Sequence, residues 1–230
     1  MICFVDLEHE KVLRDPEKKK DHFCRRAEVQ LRLEEISGQA CLVQRYTRVT
    51  QRRLGEWGIK ALLIGGNASD WVEYDGPELK EMYRIIRAAE LPILGFCGGC
   101  QLIAQAHDVP IGPMRRLREG EPDPYPEYRP GHFKERGFMP VCLLQPDPLF
   151  EGLGEKPVLF ESHYWELKEP PPGFKVMAST DECRIQAIKH KKYLIYGTQF
   201  HPEQYTEEQA DGRTLIANFF RLAGISGKIL

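Results

Sequence analysis

The first half of the chain alternates between short apolar runs and longer stretches rich in polar residues. The apolar runs predict buried strands over residues 1–7, 40–46, 59–64 and 91–96. The stretches between them predict helices over residues 16–37, 50–57 and 77–90. The first helix is marked by a capping residue, Asp15, followed by a proline at its first position, Pro16. Alternation of this kind predicts a mostly parallel sheet that is covered by helices on both faces.

The second half of the chain has a different pattern, with short apolar segments separated by turn residues. These segments predict strands over residues 137–144, 158–160, 175–179, 185–189 and 193–199. Several of them should be antiparallel, and Pro140 predicts an edge position or a bulge in the first because proline cannot donate to a sheet. A last helix is predicted over residues 207–222.

Residues 118–136 are rich in proline and charge and contain the run EGEPDPYPEYRPGH. Because the segments on either side look like parts of one domain, we predict an exposed loop here rather than a linker. The chain, residues 1–230, is therefore expected to form a single domain. The tyrosines and arginines of the loop make it a candidate docking surface for a partner protein, since both residue types favour interfaces.

Composition and charge exclude several classes of protein. A chain of 230 residues can bury a substantial core, and its net charge of −2 has both signs interspersed, with no basic field for nucleic acid. No apolar stretch approaches the roughly eighteen residues of a membrane span, and the first residues enter a strand without a signal-peptide pattern. Seven scattered cysteines fit reduced thiols better than a disulfide framework, so we expect a cytoplasmic protein.

The candidate chemistry begins at Cys97, in the segment GFCGGCQ between a predicted strand and an amphipathic stretch, residues 102–107. This placement predicts a nucleophile elbow, a sharp strand-to-helix turn on which the thiol stands clear of the backbone. The flanking glycines leave room for such a strained turn. The helix N-terminus behind Cys97 favours the thiolate, which is the reactive form of cysteine.

A base and a carboxylate follow about a hundred residues later, in the segment GTQFHPE. His201 and Glu203 are two residues apart, and an extended chain points such residues the same way. Glu203 could therefore accept a hydrogen bond from one ring nitrogen of His201 and leave the other nitrogen to face Cys97. This is the nucleophile, base and orienter arrangement of a catalytic triad.

The two segments resemble the G-x-C-x-G-x-Q and G-x-Q-F-H-P-E signatures of the class I, or triad-type, glutamine amidotransferases, and their order and spacing also fit. The resemblance covers essentially the whole chain. It implies an α/β fold, a flavodoxin-like three-layer sandwich whose mostly parallel central sheet has an antiparallel extension. It further implies a glutaminase that needs no cofactor or metal and passes ammonia from glutamine to a separate synthetase or ligase.

The resemblance also implies roles for residues around the nucleophile. An oxyanion hole would use the backbone N–H of Gly98 and that of Gly66, although Asn67 stands where the family's G-G-P loop has proline. Gln101 would hold the amino-acid end of the substrate. Ser162, His163 and Tyr164 resemble the family's S-H-x-D segment, which borders the same pocket, but Trp165 replaces its aspartate.

Other interpretations remain open at this point. A γ-glutamyl hydrolase or peptidase would use the same chemistry, though Gly98 stands where those relatives often carry arginine. A non-catalytic binding or regulatory module is a second alternative. Cys97 and Cys100 also form a C-x-x-C pair, which is a weak zinc half-site without a second pair, or a redox pair in which Cys100 resolves oxidised Cys97.

Overall fold

The computed structural model describes residues 1–225; residues 226–230, the end of the expected single domain, lie outside the described part. The strands are β1 (Ile2–Asp6), β2 (Cys41–Arg45), β3 (Leu62–Ile64), β4 (Ile93–Phe96), β5 (Ile111–Pro113), β6 (Glu135–Pro140), β7 (Cys142–Leu143), β8 (Val158–His163), β9 (Trp165–Leu167), β10 (Phe174–Ser179), β11 (Ala187–His190) and β12 (Ile195–Thr198). The helices are α1 (Glu10–Arg14), α2 (Pro16–Ser37), α3 (Gln51–Glu56), α4 (Gly76–Ala88), α5 (Gly98–Ala106) and α6 (Asp211–Leu222).

The main sheet has eight strands in the order β2-β1-β3-β4-β12-β11-β10-β7. The first five are parallel, and β11, β10 and β7 extend the sheet in antiparallel fashion. Alternate residues of β1 belong to two separate apolar cores, with Cys3 and Val5 in one and Ile2 and Phe4 in the other. Because successive side chains of a strand point to opposite faces, the sheet has a core on each side. The predicted α/β fold is confirmed.

The helix signals read from the sequence are also confirmed. The Asp15 side chain accepts hydrogen bonds from the N–H groups of Glu17 and Lys18 at the start of α2, and Gly38 ends that helix in the left-handed conformation. Thr50 caps α3, and Pro77 lies in the first turn of α4. The third strand is shorter than predicted, since it begins at Leu62 rather than Ile59.

The second half shows where the sequence pattern was insufficient. The predicted strand over residues 137–144 is two strands in different sheets, because β6 pairs with β8 whereas β7 joins the edge of the main sheet beyond Pro140. The short strands β5 and β9, which pair with each other, were not predicted. The last helix begins at Asp211 instead of Glu207, because Thr206 and Gln209 close a separate turn through two hydrogen bonds.

Helix α5 is buried over most of its length, and within the stretch predicted to be amphipathic, residues 102–107, only Gln105 and His107 are partly exposed. Its buried residues are Gly98, Gly99, Cys100, Gln101, Leu102, Ile103, Ala104 and Ala106. The helix packs on β4 and β12 on one side, and on α4, β5 and β9 on the other. Glycines permit this close packing: a Cβ atom on Gly95 would lie 2.6 Å from the backbone carbon of Gly99.

The proline-rich segment 118–136 is irregular up to β6, as predicted, but it is tied to the rest of the fold. Arg115 lies between two carboxylates, Glu121 at 2.7 Å and Glu182 at 2.7 Å. The Nζ of Lys134 lies 2.8 Å from Asp123 Oδ1, and this pair is largely buried. None of the described helices is long and apolar enough to cross a membrane.

Candidate active site

Cys97 occupies a strained turn between β4 and α5. Its φ of +48° and ψ of −105° lie in a region that residues with a side chain rarely adopt. The hydrogen bond from its backbone N–H to the carbonyl of Thr198 (2.7 Å) and the packing of α5 hold this conformation in place. The predicted elbow is confirmed, and the thiol stands at the N-terminus of a buried helix.

His201 and Glu203 lie in the loop that follows β12. Strand β12 pairs with β4 in a register that places Thr198 beside Phe96, so the chain beyond β12 runs past Cys97. The Nδ1 of His201 lies 2.7 Å from Glu203 Oε1, and Glu203 is 2 % exposed. The predicted extended chain is wrong here, since residues 202–204 form a 3-10 turn with proline at its start. The turn brings the two side chains together instead.

The charge on His201 depends on two neighbours. Burial would lower the pKa of this imidazole, but the Glu203 carboxylate and the sulfur of Cys97 together raise it well above its ordinary value. The Glu203 carboxylate and the Cys97 sulfur therefore favour the protonated form of the His201 ring.

Gly66 lies against both the imidazole of His201 and the side chain of Cys97, whereas Gly98 lies against Asn67. A Cβ atom on Gly66 would lie 2.7 Å from His201 Cε1 and 3.3 Å from Cys97 Cβ, so only glycine fits without moving these groups. A Cβ atom on Gly98 would collide with the side chain of Asn67. The N–H of Gly98 belongs to the first turn of α5, where helix N–H groups lack intrahelical acceptors.

The loop after β3 has an anchor that the sequence did not reveal. Both carboxylate oxygens of the buried residue Glu8 accept hydrogen bonds from this loop. Oε2 accepts from the N–H of Ala68 (2.8 Å). Oε1 accepts from the N–H of Ser69 (3.1 Å) and from its hydroxyl (2.7 Å). Asn67, the departure from the family pattern, donates from its own side chain to the carbonyl of Ser69 (2.7 Å). Glu8 and Asn67 therefore fix the backbone beside Gly66.

Gln101 is buried next to Cys97, and its side-chain amide is bonded within the protein. Its Oε1 accepts from Trp71 Nε1 (2.5 Å), and its Nε2 donates to the Trp165 carbonyl (3.0 Å) and to Gln199 Oε1 (3.1 Å). Gln199 in turn directs its Nε2 to the sulfur of Cys97, 3.5 Å away. The amide predicted to hold substrate thus has partners for its oxygen and both its hydrogens.

The three residues of the S-H-x-D-like segment have different surroundings. The Ser162 carbonyl lies 4.0 Å from the sulfur of Cys97, and Tyr164 borders the same cavity with its hydroxyl 2.7 Å from Asp70 Oδ2. The ring nitrogens of His163 are directed elsewhere, Nδ1 to the Trp165 carbonyl and Nε2 to Glu135 Oε2, each at 3.0 Å.

His163 belongs to a buried charged cluster behind β8. Its Nε2 contacts the carboxylates of Glu135 (3.0 Å) and Glu161 (3.2 Å). Burial alone would lower the pKa of His163, but these two carboxylates raise it to about 10, whereas burial raises the pKa of Glu161. Glu135, His163 and Cys183 have ligand atoms within 4.8 Å of one another. Because Glu135 already accepts from Thr180 and Gln186, ion pairing and hydrogen bonding account for this cluster.

The cavity at Cys97 is small, with a volume of about 20 Å³, enough for a single water molecule. Tyr128, from the segment predicted to be an exposed loop, donates its hydroxyl to the carbonyl of Ala68 (3.1 Å). Arg129, with a left-handed φ of +53°, lies 3.2 Å from Asp70 and over the ring of Tyr164. A larger hollow of about 850 Å³ lies elsewhere, lined by residues between 142 and 156.

Cys100 faces away from solvent and packs against the sheet. A Cβ atom on Gly197 of β12 would lie 2.7 Å from its sulfur, and burial raises the pKa of its thiol far above the ordinary value. Cys100 thus fills the interface between helix and sheet, which does not favour a role as an attacking thiol.

Comparison with known proteins identifies relatives of this arrangement. The model of the family described as glutamine amidotransferase class-I matches residues 33–223. A glutamine-hydrolysing GMP synthase subunit of Pyrococcus abyssi is 38 % identical over 134 residues, 58 % of this chain and 61 % of the relative. The corresponding subunit of Archaeoglobus fulgidus is 30 % identical over 190 residues, 83 % of this chain and 88 % of the relative. The matches to the first three relatives thus span about 61 % of their lengths.

Solved structures show the same fold. A protein from Thermoplasma acidophilum, described as a GMP synthase subunit, superposes with a TM-score of 0.73 at 23 % identity, over 97 % of this chain and 93 % of the other. A glutamine amidotransferase from Thermotoga maritima superposes with a TM-score of 0.66 at 15 % identity, over 98 % and 99 % of the two chains. At these identities the likeness establishes the fold alone.

Proposed function

The chain belongs to the class I glutamine amidotransferase family, and from this premise we propose that it hydrolyses the side-chain amide of glutamine with Cys97, His201 and Glu203 as its catalytic triad. The observation that supports the proposal most is the meeting of two distant segments at Gly66. A Cβ atom there would contact both the Cys97 side chain and the ring of His201, whose other side is bonded to Glu203. Residues 1–230 would form one amidotransferase domain.

The first half-reaction releases ammonia. The thiolate of Cys97 attacks the amide carbon of glutamine, and the carbonyl oxygen becomes an oxyanion that accepts hydrogen bonds from the N–H groups of Gly98 and Gly66. Protonated His201 donates its proton to the leaving nitrogen. The C–N bond breaks, and a γ-glutamyl thioester and ammonia result.

The second half-reaction restores the enzyme. His201, now neutral, accepts a proton from water, which attacks the thioester carbon. The C–S bond breaks, the imidazolium and thiolate are regenerated, and the new γ-carboxyl group, which keeps the second proton of the water, loses it to solvent as glutamate leaves. Glu203 accepts from Nδ1 in both steps, so it fixes which ring nitrogen faces the sulfur and stabilises the positive ring.

Ammonia from this site would pass to a separate acceptor enzyme. Several relatives are named as subunits of a glutamine-hydrolysing GMP synthase, and one of them is matched over 88 % of its length. We therefore propose that the acceptor is the synthetase component of a GMP synthase or of a similar amidating enzyme. The volume of the cavity at Cys97, about 20 Å³, is too small for a glutamine side chain, which supports low activity of the free chain and stimulation by that partner.

The test is stoichiometric labelling by an electrophilic glutamine analogue, followed by mass spectrometry of the digested protein. We expect one label, on Cys97, with little on Cys24 although Cys24 is the exposed cysteine. Cys97→Ala should abolish release of glutamate and ammonia, whereas Glu203→Gln should reduce it less, since the orienting member of a triad is the least costly to lose. Label on Cys24 or Cys142 with Cys97 untouched would reject the assignment.

The same experiment separates the alternatives. Full turnover of glutamine by the chain alone, unchanged by any synthetase, would favour a γ-glutamyl hydrolase or peptidase. Absence of both labelling and turnover, with and without a synthetase, would favour a non-catalytic binding or regulatory module.

A further inference from the structure

Gln199 is a buried polar residue of the GTQFHPE segment to which the triad assigns no role. It is fully buried between β12 and His201, and its backbone N–H donates to the Gln186 carbonyl (2.7 Å). Its side-chain Nε2 lies 3.5 Å from the sulfur of Cys97. A thiolate can only accept hydrogen bonds, so an N–H group in this position favours the thiolate over the thiol.

The benefit depends on which way the amide of Gln199 is turned. With its oxygen towards the sulfur, the same side chain would repel a thiolate instead of binding it. The orientation is set by Gln101, whose Nε2 donates both to Gln199 Oε1 (3.1 Å) and to the Trp165 carbonyl (3.0 Å). The Trp165 carbonyl can only accept a hydrogen bond, so it requires the NH₂ group of Gln101 on this side and the Gln101 oxygen on the other. The atom of Gln199 that faces this NH₂ group must then be its oxygen.

The oxygen of Gln101 faces the indole N–H of Trp71, at 2.5 Å. An indole can donate a hydrogen bond and cannot accept one, so a rotated Gln101 amide would set two donors against each other. The donor at Trp71 therefore fixes Gln101, Gln101 fixes Gln199, and Gln199 presents a donor to the sulfur. Trp71 begins the 3-10 turn 71–73, beyond the loop that contains Gly66.

We propose that Gln199 is the hydrogen-bond donor that stabilises the Cys97 thiolate, and that Trp71 and Gln101 are positioning residues that hold its amide in the donating orientation. The proposal rests on Cys97 being the nucleophile of the proposed function. It gives the loop between β3 and α4 influence over the thiol, since any movement that withdraws the indole N–H leaves the Trp165 carbonyl alone to orient the two amides. Among the described residues, the titratable groups whose pKa is raised by the Cys97 sulfur are His201, Tyr128 and Cys100.

The test is a pH titration of the Cys97 thiolate, followed by its ultraviolet absorbance. For the wild type and for each variant, the absorbance of the same protein with Cys97→Ala is subtracted, so that only Cys97 contributes. Gln199→Leu should raise the pH of half-ionisation by about one unit, as expected for loss of one hydrogen bond to a charged group. Trp71→Phe should raise it by a similar or smaller amount. Trp71→Phe added to Gln199→Leu should change nothing further, because the two act through one path.

Tyr83→Phe is the matched control. It removes a hydroxyl that donates to Oε1 of Gln105 (3.1 Å), which lies on α5 together with Gln101. It should leave the titration unchanged, and circular dichroism should show every variant folded. An effect of Gln199→Leu without one of Trp71→Phe would reject the relay, and no effect of either would reject the proposal as a whole. Because no glutamine is used, a chain that titrates as expected but hydrolyses no glutamine, with or without a synthetase, would refute the proposed function and leave the hydrogen bond from Gln199 to the thiolate standing.

Discussion

The Nη1 of Arg32, in the last third of α2, lies 2.7 Å from the backbone carbonyl oxygen of Glu203, although 171 residues separate the two along the chain. The same nitrogen donates to the carbonyl of Tyr205 (2.9 Å), and the guanidinium lies over the ring of Tyr205. Arg32 therefore holds the 3-10 turn that brings Glu203 to His201. No signal in the sequence pointed to this residue.

Replacement of Arg32 should slow the proposed catalysis, because Arg32 acts through the 3-10 turn and not on the substrate. Arg32→Ala frees two carbonyls of the turn, and a small misplacement of a catalytic group costs up to about 100-fold in rate. We expect kcat for glutamine hydrolysis, measured with the acceptor enzyme present, to fall about 10-fold or more. Arg25→Ala on the exposed side of the same helix is the control and should retain full activity. Equal activity of the two variants would contradict a positioning role for Arg32.

Gly66→Ala should reduce activity more than stability. The added Cβ would lie 2.7 Å from His201 Cε1, so the imidazole must shift while the buried strand β3 stays in place. We expect a loss of kcat of about 10- to 100-fold with a small change in melting temperature. The matched change is Gly55→Ala in α3, where a Cβ atom meets nothing within 4 Å. That variant should be active and about 1 kcal/mol more stable, because alanine favours helix. An active Gly66→Ala protein would show that the contact is relieved without displacing His201.

Tyr128→Phe should open the cavity at Cys97. The change removes the hydroxyl that donates to the Ala68 carbonyl and keeps the ring that packs edge-on against Tyr164. Loss of one hydrogen bond of about 1 kcal/mol predicts roughly five-fold faster labelling of Cys97 by the glutamine analogue in the absence of a partner. Tyr193→Phe, which alters an exposed tyrosine, should label at the wild-type rate. An unchanged rate for Tyr128→Phe would mean that other contacts keep the cavity small.

The buried cluster around His163 predicts a dependence of stability on pH. The pKa of His163 is raised to about 10 from its ordinary 6.5, so the folded state holds a proton that the unfolded state releases at lower pH. The resulting stabilisation is complete below about pH 6.5 and is lost as the pH rises towards 10. The free energy of unfolding, measured by urea titration at a series of pH values, should therefore decrease as the pH rises from about 6.5 to about 10.

The variant Glu161→Gln locates the origin of that effect. It removes one of the two carboxylates that contact His163, so the pKa of the imidazole should fall by about one unit or more. NMR titration of the ring would report this fall, and the loss of stability should shift to lower pH with it. Glu166→Gln, which alters the surface pair with Lys168, should change neither. A stability profile that stays the same in Glu161→Gln would assign the pH dependence to other groups.

Much of the candidate site could be read from the sequence because its signals are local. The elbow at Cys97 needs a strand, a turn and a helix within about fifteen residues, and all three are written in neighbouring residues. The pairing of His201 with Glu203 spans three residues, so their contact was predicted correctly even though the chain forms a 3-10 turn rather than an extended segment. Local periodicity and local backbone preference decide such features, and both are properties of the chain itself.

Only the tertiary structure decided how the remaining polar groups are paired. Glu8, Trp71, Gln199 and Arg32 come from four separate parts of the chain, and each acts on the site through a hydrogen bond to a distant residue. Gln101 looked free to bind substrate until the structure showed its amide enclosed by three partners. A buried polar group must find partners wherever the packed fold supplies them, and that choice depends on strand order and helix docking, which periodicity along the chain does not specify.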